Sequence, residues 1–371
     1  MNIIFALLCI IATASQAGAW GEEGHRGIAE AVQGHLQAAT VTAIAKIAGT
    51  GDDLPPGTLA RLSVWPDQIR ALTKNPHAAI TGFSPAEMEE ARQFVASHPD
   101  NTNWHFVDLP PGSAHYPDLT HPDPTDPALP FTNPTDIVHM IHRSMDILEG
   151  RTDSAMFTQL QALRWLLHLS EDIHQPLHVA SGYYSTAADT LSHPTMLTDP
   201  SEVTAQHGKN DRGGNVLLFL ANPTCPTKPT HENLHAIWDN CLVDVVGGSR
   251  GCGSKTTDKT VAHVANHLKM RMQEPASQAF RLQGDYHQWP EQWATDSVHA
   301  AAAGVFPSEL DSGCVILDPK RPHPPVHVQS RVVAPATKRA YLQEHKADAD
   351  RQLTKAAVRL ADLLNHIQWK E

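Results

Sequence analysis

The sequence predicts an all-α fold: one mainly helical domain with Pro-rich loops and at most a short β-hairpin. Three observations predict it. Apolar residues recur at helical spacing through much of the chain, several of these stretches open on capping residues, and proline-dense segments separate them. No internal repeat and no clean compositional break divides the chain, so a single domain is the simplest organisation.

The first segment is apolar from Ile3 to Ala14 and then turns small and polar. Ala17-Gly18-Ala19 has the small-x-small form of a signal-peptidase site, so residues 1–19 are expected to be a signal peptide and 20–371 the mature domain. The run is short for a permanent membrane span, and nothing later resembles one. A periplasmic or secreted product is expected, with Trp20 at its amino terminus.

Along the mature chain, Ser84-Pro85-Ala86-Glu87 forms a capping box with Pro at the first helical position, opening a helix towards Ser97. Asp136 to Leu148 is a second, stopped by Gly150, and a third starts near Ser154 and continues towards His174. Further helices are expected at Asn233–Val246, Thr260–Met272, Pro290–Ala303 and Thr337–Ile367. Strand signals are confined to Asn215–Leu220 and Val326–Val333. Pro110–Pro134 and Ala180–Gly213 read as loops or insertions.

Of 371 residues, removal of the signal leaves about 350, enough for one large helical domain. Cys225, Cys241, Cys252 and Cys314 remain, which in an exported chain suggests two disulfides in any of three pairings. Asn133 and Asn222 are each followed by Pro, so neither is a glycosylation acceptor. The formal charge of −12 argues against a Lys/Arg groove as the main means of holding nucleic acid. The 24 histidines point elsewhere: bound cations could supply positive charge locally.

The strongest local signal is His168-Leu-Ser-Glu-Asp172-Ile-His174-Gln-Pro-Leu-His178. At i, i+4 on a helix, His168 and Asp172 share a face and can converge on one cation. Pro176 breaks the helix, freeing His178 to reach a neighbouring metal. His235-Ala-Ile-Trp238-Asp239 repeats the spacing on another expected helix. Imidazole with carboxylate suits zinc. A single such pair also arises on ordinary helix surfaces, so the argument rests on the set.

The mature start Trp20-Gly-Glu-Glu-Gly-His25 resembles that of the trinuclear-zinc type I nucleases and 3′-nucleotidases, the single-strand-specific nucleases of fungi and plants with their bacterial relatives. Trp65-Pro-Asp67-Gln-Ile-Arg70, Trp104-His105-Phe106-Val107-Asp108, His168–His178, Gly213-Gly214-Asn215 and Asn233–Asp239 follow in family order. Trp293–Ser297 and Arg359–Asn365 extend the likeness across the mature chain. The resemblance implies the all-helical phospholipase C/nuclease type of fold and three zinc ions. Asp67, His105, His168 and Asp172 would hold the first, and His178, His235 and Asp239 the second. The third would take the α-amino nitrogen and carbonyl oxygen of Trp20, with His25 and a bridging oxygen of Asp172. Cleavage at Ala19 is then a chemical requirement, because an amide is a poor zinc donor.

The implied activity is hydrolysis of phosphodiester bonds in single-stranded DNA and RNA to 5′-phosphate products, with 3′-nucleotidase action. Zinc can lower the pKa of bound water to roughly 7, and the resulting hydroxide would attack phosphorus in line. Asp67 and Asp172 would shape the catalytic metals, and Arg70 would brace the developing charge. Phe106 is the stacking candidate; Asn215 either reads a base edge or closes a turn. His174, Trp65, Trp104 and Trp238 are expected to pack around the cluster, and His139 and His142 to lie outside it. No stable protein partner is implied.

Two other readings compete. Zinc phospholipases C are similar in fold and also use an amino-terminal Trp, but their next His lies much further on and their last ligand is Glu, where this chain has Asp239. A non-enzymatic metal-binding protein would have lost a ligand or Arg70, and all are present. The long stretch between His178 and Gly213 and the sequence Leu109-Pro110-Pro111 depart from the family beside the expected cleft.

Overall fold

Helix formation starts immediately at Trp20. The computed structural model describes residues 20–152, 156–185, 196–215, 217–219, 233–249, 252, 255–306, 331–333 and 337–370. The expected signal peptide, Cys225, Cys314 and most of the Val326–Val333 strand signal lie outside that set. α1 (Gly21–Gln33) opens on Trp20, whose φ of 34° gives a left-handed start, and Gly21 follows at φ 48°. A side chain at Gly21 would also meet Asn240 Oδ1 at 2.5 Å, so glycine is required twice over.

α2 (Ala38–Ala48), α3 (Thr58–Ser63) and α4 (Trp65–Lys74) follow, the last with Pro66 in its first turn, where a missing N–H costs nothing. α5 (Pro85–Ser97) carries the expected capping box between Ser84 and Glu87. Asp136 caps α6 (Ile137–Leu148) through its carboxylate. α7 (Gln159–Asp172) begins later than expected, because Thr158 and Gln161 form a capping box of their own. Every residue of α7 from Gln161 to Asp172 is buried.

The expected Asn233–Val246 helix is composite: α9 (Leu234–Ala236), a wide π segment (Ile237–Leu242) and α10 (Val243–Val246). α11 (Asp258–Gln273), α12 (Trp289–Ala300) and α13 (Thr337–His366) complete the helices. α1 packs between α3, α11 and α13, while α7 contacts α3, α6 and α13. Trp20, Trp104, Trp165, Trp238, Trp289 and Trp293 are fully buried in the shared core. Taking one indole out of water removes about 200 Å² and is worth roughly 5 kcal/mol.

The mainly helical expectation holds. Strand content slightly exceeds a hairpin, and it lies largely in the stretch read as an insertion. β1 (Tyr183–Tyr184) is central to an antiparallel sheet with β2 (Met196–Leu197) and β3 (Lys209–Asn210). Here α8 (Pro200–Ala205) sits between β2 and β3, and Tyr183, Leu197 and Val203 make a small separate core against Phe131. β4 (Leu217–Phe219) pairs in parallel with β5 (Arg331–Val333). A disulfide joins Cys241 to Cys252. Among the described residues no helix is long and apolar enough to cross a membrane.

Candidate metal centre

Six segments deliver the site. α1 presents His25, the first turn of α4 presents Asp67, and the last two turns of α7 present His168 and Asp172. His105 and His178 sit in turns that lead into neighbouring segments, tied by Val107 N donating to His178 O (2.9 Å) and Ser181 N to Leu109 O (3.0 Å). His178 sits in the tight turn Pro176–His178, off the α7 phase as the proline requires. His235 comes from α9 and Asp239 from the π segment, whose extra backbone width is a common device at functional sites.

Asp172 stands at the centre. Its Oδ1 lies 3.2 Å from His25 Nε2, while its Oδ2 lies 3.1 Å from both His105 Nδ1 and His168 Nε2. Asp67 Oδ1 completes that second group at 4.0 Å from His105 Nδ1 and 3.8 Å from His168 Nε2. In the remaining group His235 Nε2 is 3.4 Å from Asp239 Oδ2, and His178 stacks beside His235 with ring centroids 4.8 Å apart. Ligands of a tetrahedral zinc with bonds near 2.0–2.1 Å stand roughly 3.3 Å from one another, so these separations suit a cation.

The unpaired atoms make a stronger test. His25 Nε2, Asp172 Oδ1, His178 Nε2 and Asp239 Oδ2 are buried without a hydrogen-bond partner. Orphaned buried polar atoms are costly, and four converging in one place mark a missing partner. The three groups that can hold a metal are His25–His168–Asp172, Asp67–His105–His168 and His178–His235–Asp239.

Surrounding groups set the protons. His168 Nδ1 donates to Ser63 O (2.7 Å), His178 Nδ1 to His105 O (2.7 Å) and His235 Nδ1 to Gly213 O (2.8 Å). Each bond leaves the Nε2 lone pair pointing at the cluster. Gly213 is constrained by this, since a Cβ there would meet Leu177 O at 2.3 Å. His25 Nδ1 lies 2.5 Å from Glu171 Oε2, and Gln175 Nε2 donates to Asp239 Oδ1 (2.8 Å). Burial pushes the His235 imidazole down to about 3 and His105 to about 4, keeping both neutral as metal ligands must be. Burial, with Asp67 and Asp172 nearby, pushes Asp239 well above the usual carboxylate range, so a cation is needed to keep it ionised.

Trp20 is fully buried; its indole N–H donates to Glu171 O (3.0 Å) and its carbonyl accepts from Gly24 N (3.0 Å). Arg70 reaches Asp67 Oδ1 at 3.1 Å and lines a cleft of about 400 Å³ with His105, Phe106, His178 and His235. Asn215 lines it too, with its amide nitrogen turned back onto Arg212 O at 2.8 Å. Trp65, Trp104 and Trp238 are core residues. Buried His174 donates from Nδ1 to Ser170 O (2.8 Å) and receives Arg359 at Nε2 (3.4 Å). His139 pairs with Asp136 and His142 with Glu291, away from the cluster.

The sequence did not single out Glu171, Gln175, Asp108 or Arg212. Glu171 and Gln175 lie inside the main motif, and a carboxylate next to a ligand on a wholly buried helix end is the signal that marks one of them. Asp108 and Arg212 face the cleft only through long-range packing.

A helical fold wrapped around buried His and carboxylate groups defines a class of helical protein able to hold metal ions. The chain belongs to the S1/P1 Nuclease family, which it matches over residues 20–368. It is similar to three proteins of Arabidopsis thaliana. Endonuclease 4 is 24% identical over 225 residues, covering 61% of this chain and 56% of that protein. Endonuclease 5 is 21% identical over 225 residues, covering 61% and 56%. Endonuclease 3 is 23% identical over 242 residues, covering 65% and 60%. The chain thus spans little more than half the length of these curated relatives.

Proposed function

We propose that this protein is an exported zinc-dependent nuclease that hydrolyses phosphodiester bonds of single-stranded DNA and RNA to 5′-phosphate products, with 3′-nucleotidase activity. The observation that carries the reading is the convergence of buried, partnerless His and carboxylate atoms beside a cleft lined by Arg70 and Phe106. Membership of the S1/P1 Nuclease family and similarity to proteins named endonucleases support it.

Asp67, His105, His168 and Asp172 would hold one zinc and His178, His235 and Asp239 another. His25 and Asp172, with the freed amine and carbonyl of a processed Trp20, would hold a third. Bound zinc supplies Lewis acidity, polarising phosphoryl oxygens and making a hydrolytic nucleophile available at neutral pH. The protein's own part is positional. Ser63, His105 and Gly213 carbonyls hold the Nδ1 protons of three histidines, Gln175 aims Asp239, and Asp172 divides its two oxygens between His25 and the His105–His168 pair. Arg70, oriented by Asp67, offers N–H donors to the equatorial oxygens of a phosphate. Phe106 offers a face on which a base can stack.

The test is hydrolysis of single-stranded DNA, RNA and phosphatidylcholine by the purified protein before chelation, after it, and after zinc is returned. Loss and recovery on the nucleic acids is expected. Activity that survives complete zinc removal would sink the mechanism, and hydrolysis of phosphatidylcholine alone would move the protein to the phospholipase C reading.

A further inference from the structure

Arg212 departs from what a surface arginine needs. Its φ is 59°, a left-handed conformation that a long side chain rarely adopts and that costs of order 1 kcal/mol. The turn around it enforces that conformation. Asp211 Oδ1 accepts from Gly182 N (3.0 Å) and Gly214 N (2.8 Å), and Arg212 O accepts from both Asn215 N (3.3 Å) and Asn215 Nδ2 (2.8 Å). Gly213, next in the chain, receives His235 Nδ1 on its carbonyl and donates to Ser181 Oγ (2.7 Å). Arg212 is therefore one residue from a group that orients a metal ligand.

The result is an exposed guanidinium on the rim of the same cleft that Arg70 lines from the Asp67 side. The acid that feels its charge is not its partner. Asp108 feels the Arg212 charge, but its carboxylate is held by Ser181 Oγ (2.6 Å) and Asn210 Nδ2 (3.3 Å), with no ion pair to Arg212 among the described residues. A cleft of about 400 Å³ accommodates roughly one nucleotide unit, so a longer strand must leave it over the rim.

We propose that Arg212 binds a second, non-scissile phosphate of a polynucleotide and so tilts the enzyme from mononucleotides towards strands. This rests on the nucleolytic reading of the cleft. Strained backbone that is over-determined by its surroundings is what a fixed contact to ligand requires, and a rim arginine adds affinity without touching the reacting phosphate.

The experiment uses Arg212→Gly, which adopts the observed φ freely, and Arg212→Lys, which keeps the charge. On zinc-loaded protein, kcat and KM are measured for thymidine 3′-monophosphate and for an oligothymidylate. Fluorescence anisotropy separately follows binding of a phosphorothioate oligothymidylate at several salt concentrations. For R212G the oligonucleotide KM and Kd should rise about fivefold to tenfold, with kcat and the mononucleotide constants unchanged. The log–log salt slope should shrink by about 0.7, one single-strand phosphate contact, and R212K should recover part of the loss. Equal losses on the mononucleotide, or unchanged binding and slope, overturn the assignment. If the wild type cleaves neither substrate yet the anisotropy loss persists, the hydrolytic reading fails while the Arg212 contact stands.

Discussion

Replacing Glu171 tests how a buried carboxylate contributes to holding a ligand it does not replace. His25 Nδ1 and Glu171 Oε2 are 2.5 Å apart and both side chains are 0% exposed. In Glu171→Gln the amide oxygen can still accept the imidazole N–H, while the charge is lost and the amide N–H groups take the place of Oε1, which is buried without a partner. A charge-assisted bond is about twice as strong as a neutral one, which puts the loss at about 1–1.5 kcal/mol, or about tenfold in zinc affinity at the His25–Asp172 group. Glu171→Ala strands the buried N–H altogether and should cost about 2–3 kcal/mol, close to a hundredfold. The Trp20 indole bonds the main-chain oxygen of residue 171 and survives in both variants. Zinc per chain, measured by mass spectrometry across a series of chelator-buffered zinc concentrations, reads the effect, with thermal melting as the control for folding. Wild-type zinc retention by both variants would refute the reasoning. Equal losses in the two would show that packing, not charge, is what Glu171 supplies.

Three further outcomes follow from the same geometry. A protein with a single glycine left before Trp20 should retain one zinc fewer than one starting at Trp20; equal stoichiometry by native mass spectrometry would remove the amine from the ligand set. Gln175→Met strands Leu177 N and frees Asp239, so it should lower stability by about 1–3 kcal/mol and zinc affinity by about 10–100-fold, read by melting and the same zinc titration. Asp211 gives a pH prediction: burial lifts its carboxyl to about 7 against the opposing Gly214 and Gly182 N–H groups. The folded state then binds a proton that the unfolded state has released between about pH 4 and 7. The Asp211 contribution therefore falls by about 1.4 kcal/mol per unit as pH rises through that window. Asp211→Asn should gain stability relative to wild type between pH 5 and pH 8; urea midpoints that shift in parallel would contradict it.

Local signals were the legible ones. The Ser84–Glu87 box and the Asp136 cap depend on residues within one turn and stand where the sequence places them. α7 starts at Gln159 for the same kind of reason, the Thr158–Gln161 box. α1 carries little local signal, because Gly21, Gly24 and Gly27 weaken its propensity. Its glycines serve packing instead, as at Gly27, where a Cβ would lie 2.6 Å from Val264 Cγ1. The sheet of β1, β2 and β3 was hidden because two-residue strands have no alternation to read and pair over long separations. At the centre, the residues able to hold a metal were readable by type and order, whereas the division of Asp172 between two groups and the contacts of Glu171 and Gln175 needed coordinates.

The π segment between α9 and α10 has a consequence for chain length. A wide turn holds one residue more than the α-helix it interrupts, so deleting any residue of Ile237–Leu242 would let the backbone relax into ordinary helix. That relaxation would take up the missing residue within the segment, so α10 would keep its direction while the side chains left inside the segment shift around the helix axis. Cys241 would turn from Cys252, and a deletion before Asp239 would carry its carboxylate away from His235. The more regular helix would thus be the one that scatters these groups. Between His235 and Cys241, residue count is as strict a requirement as residue identity.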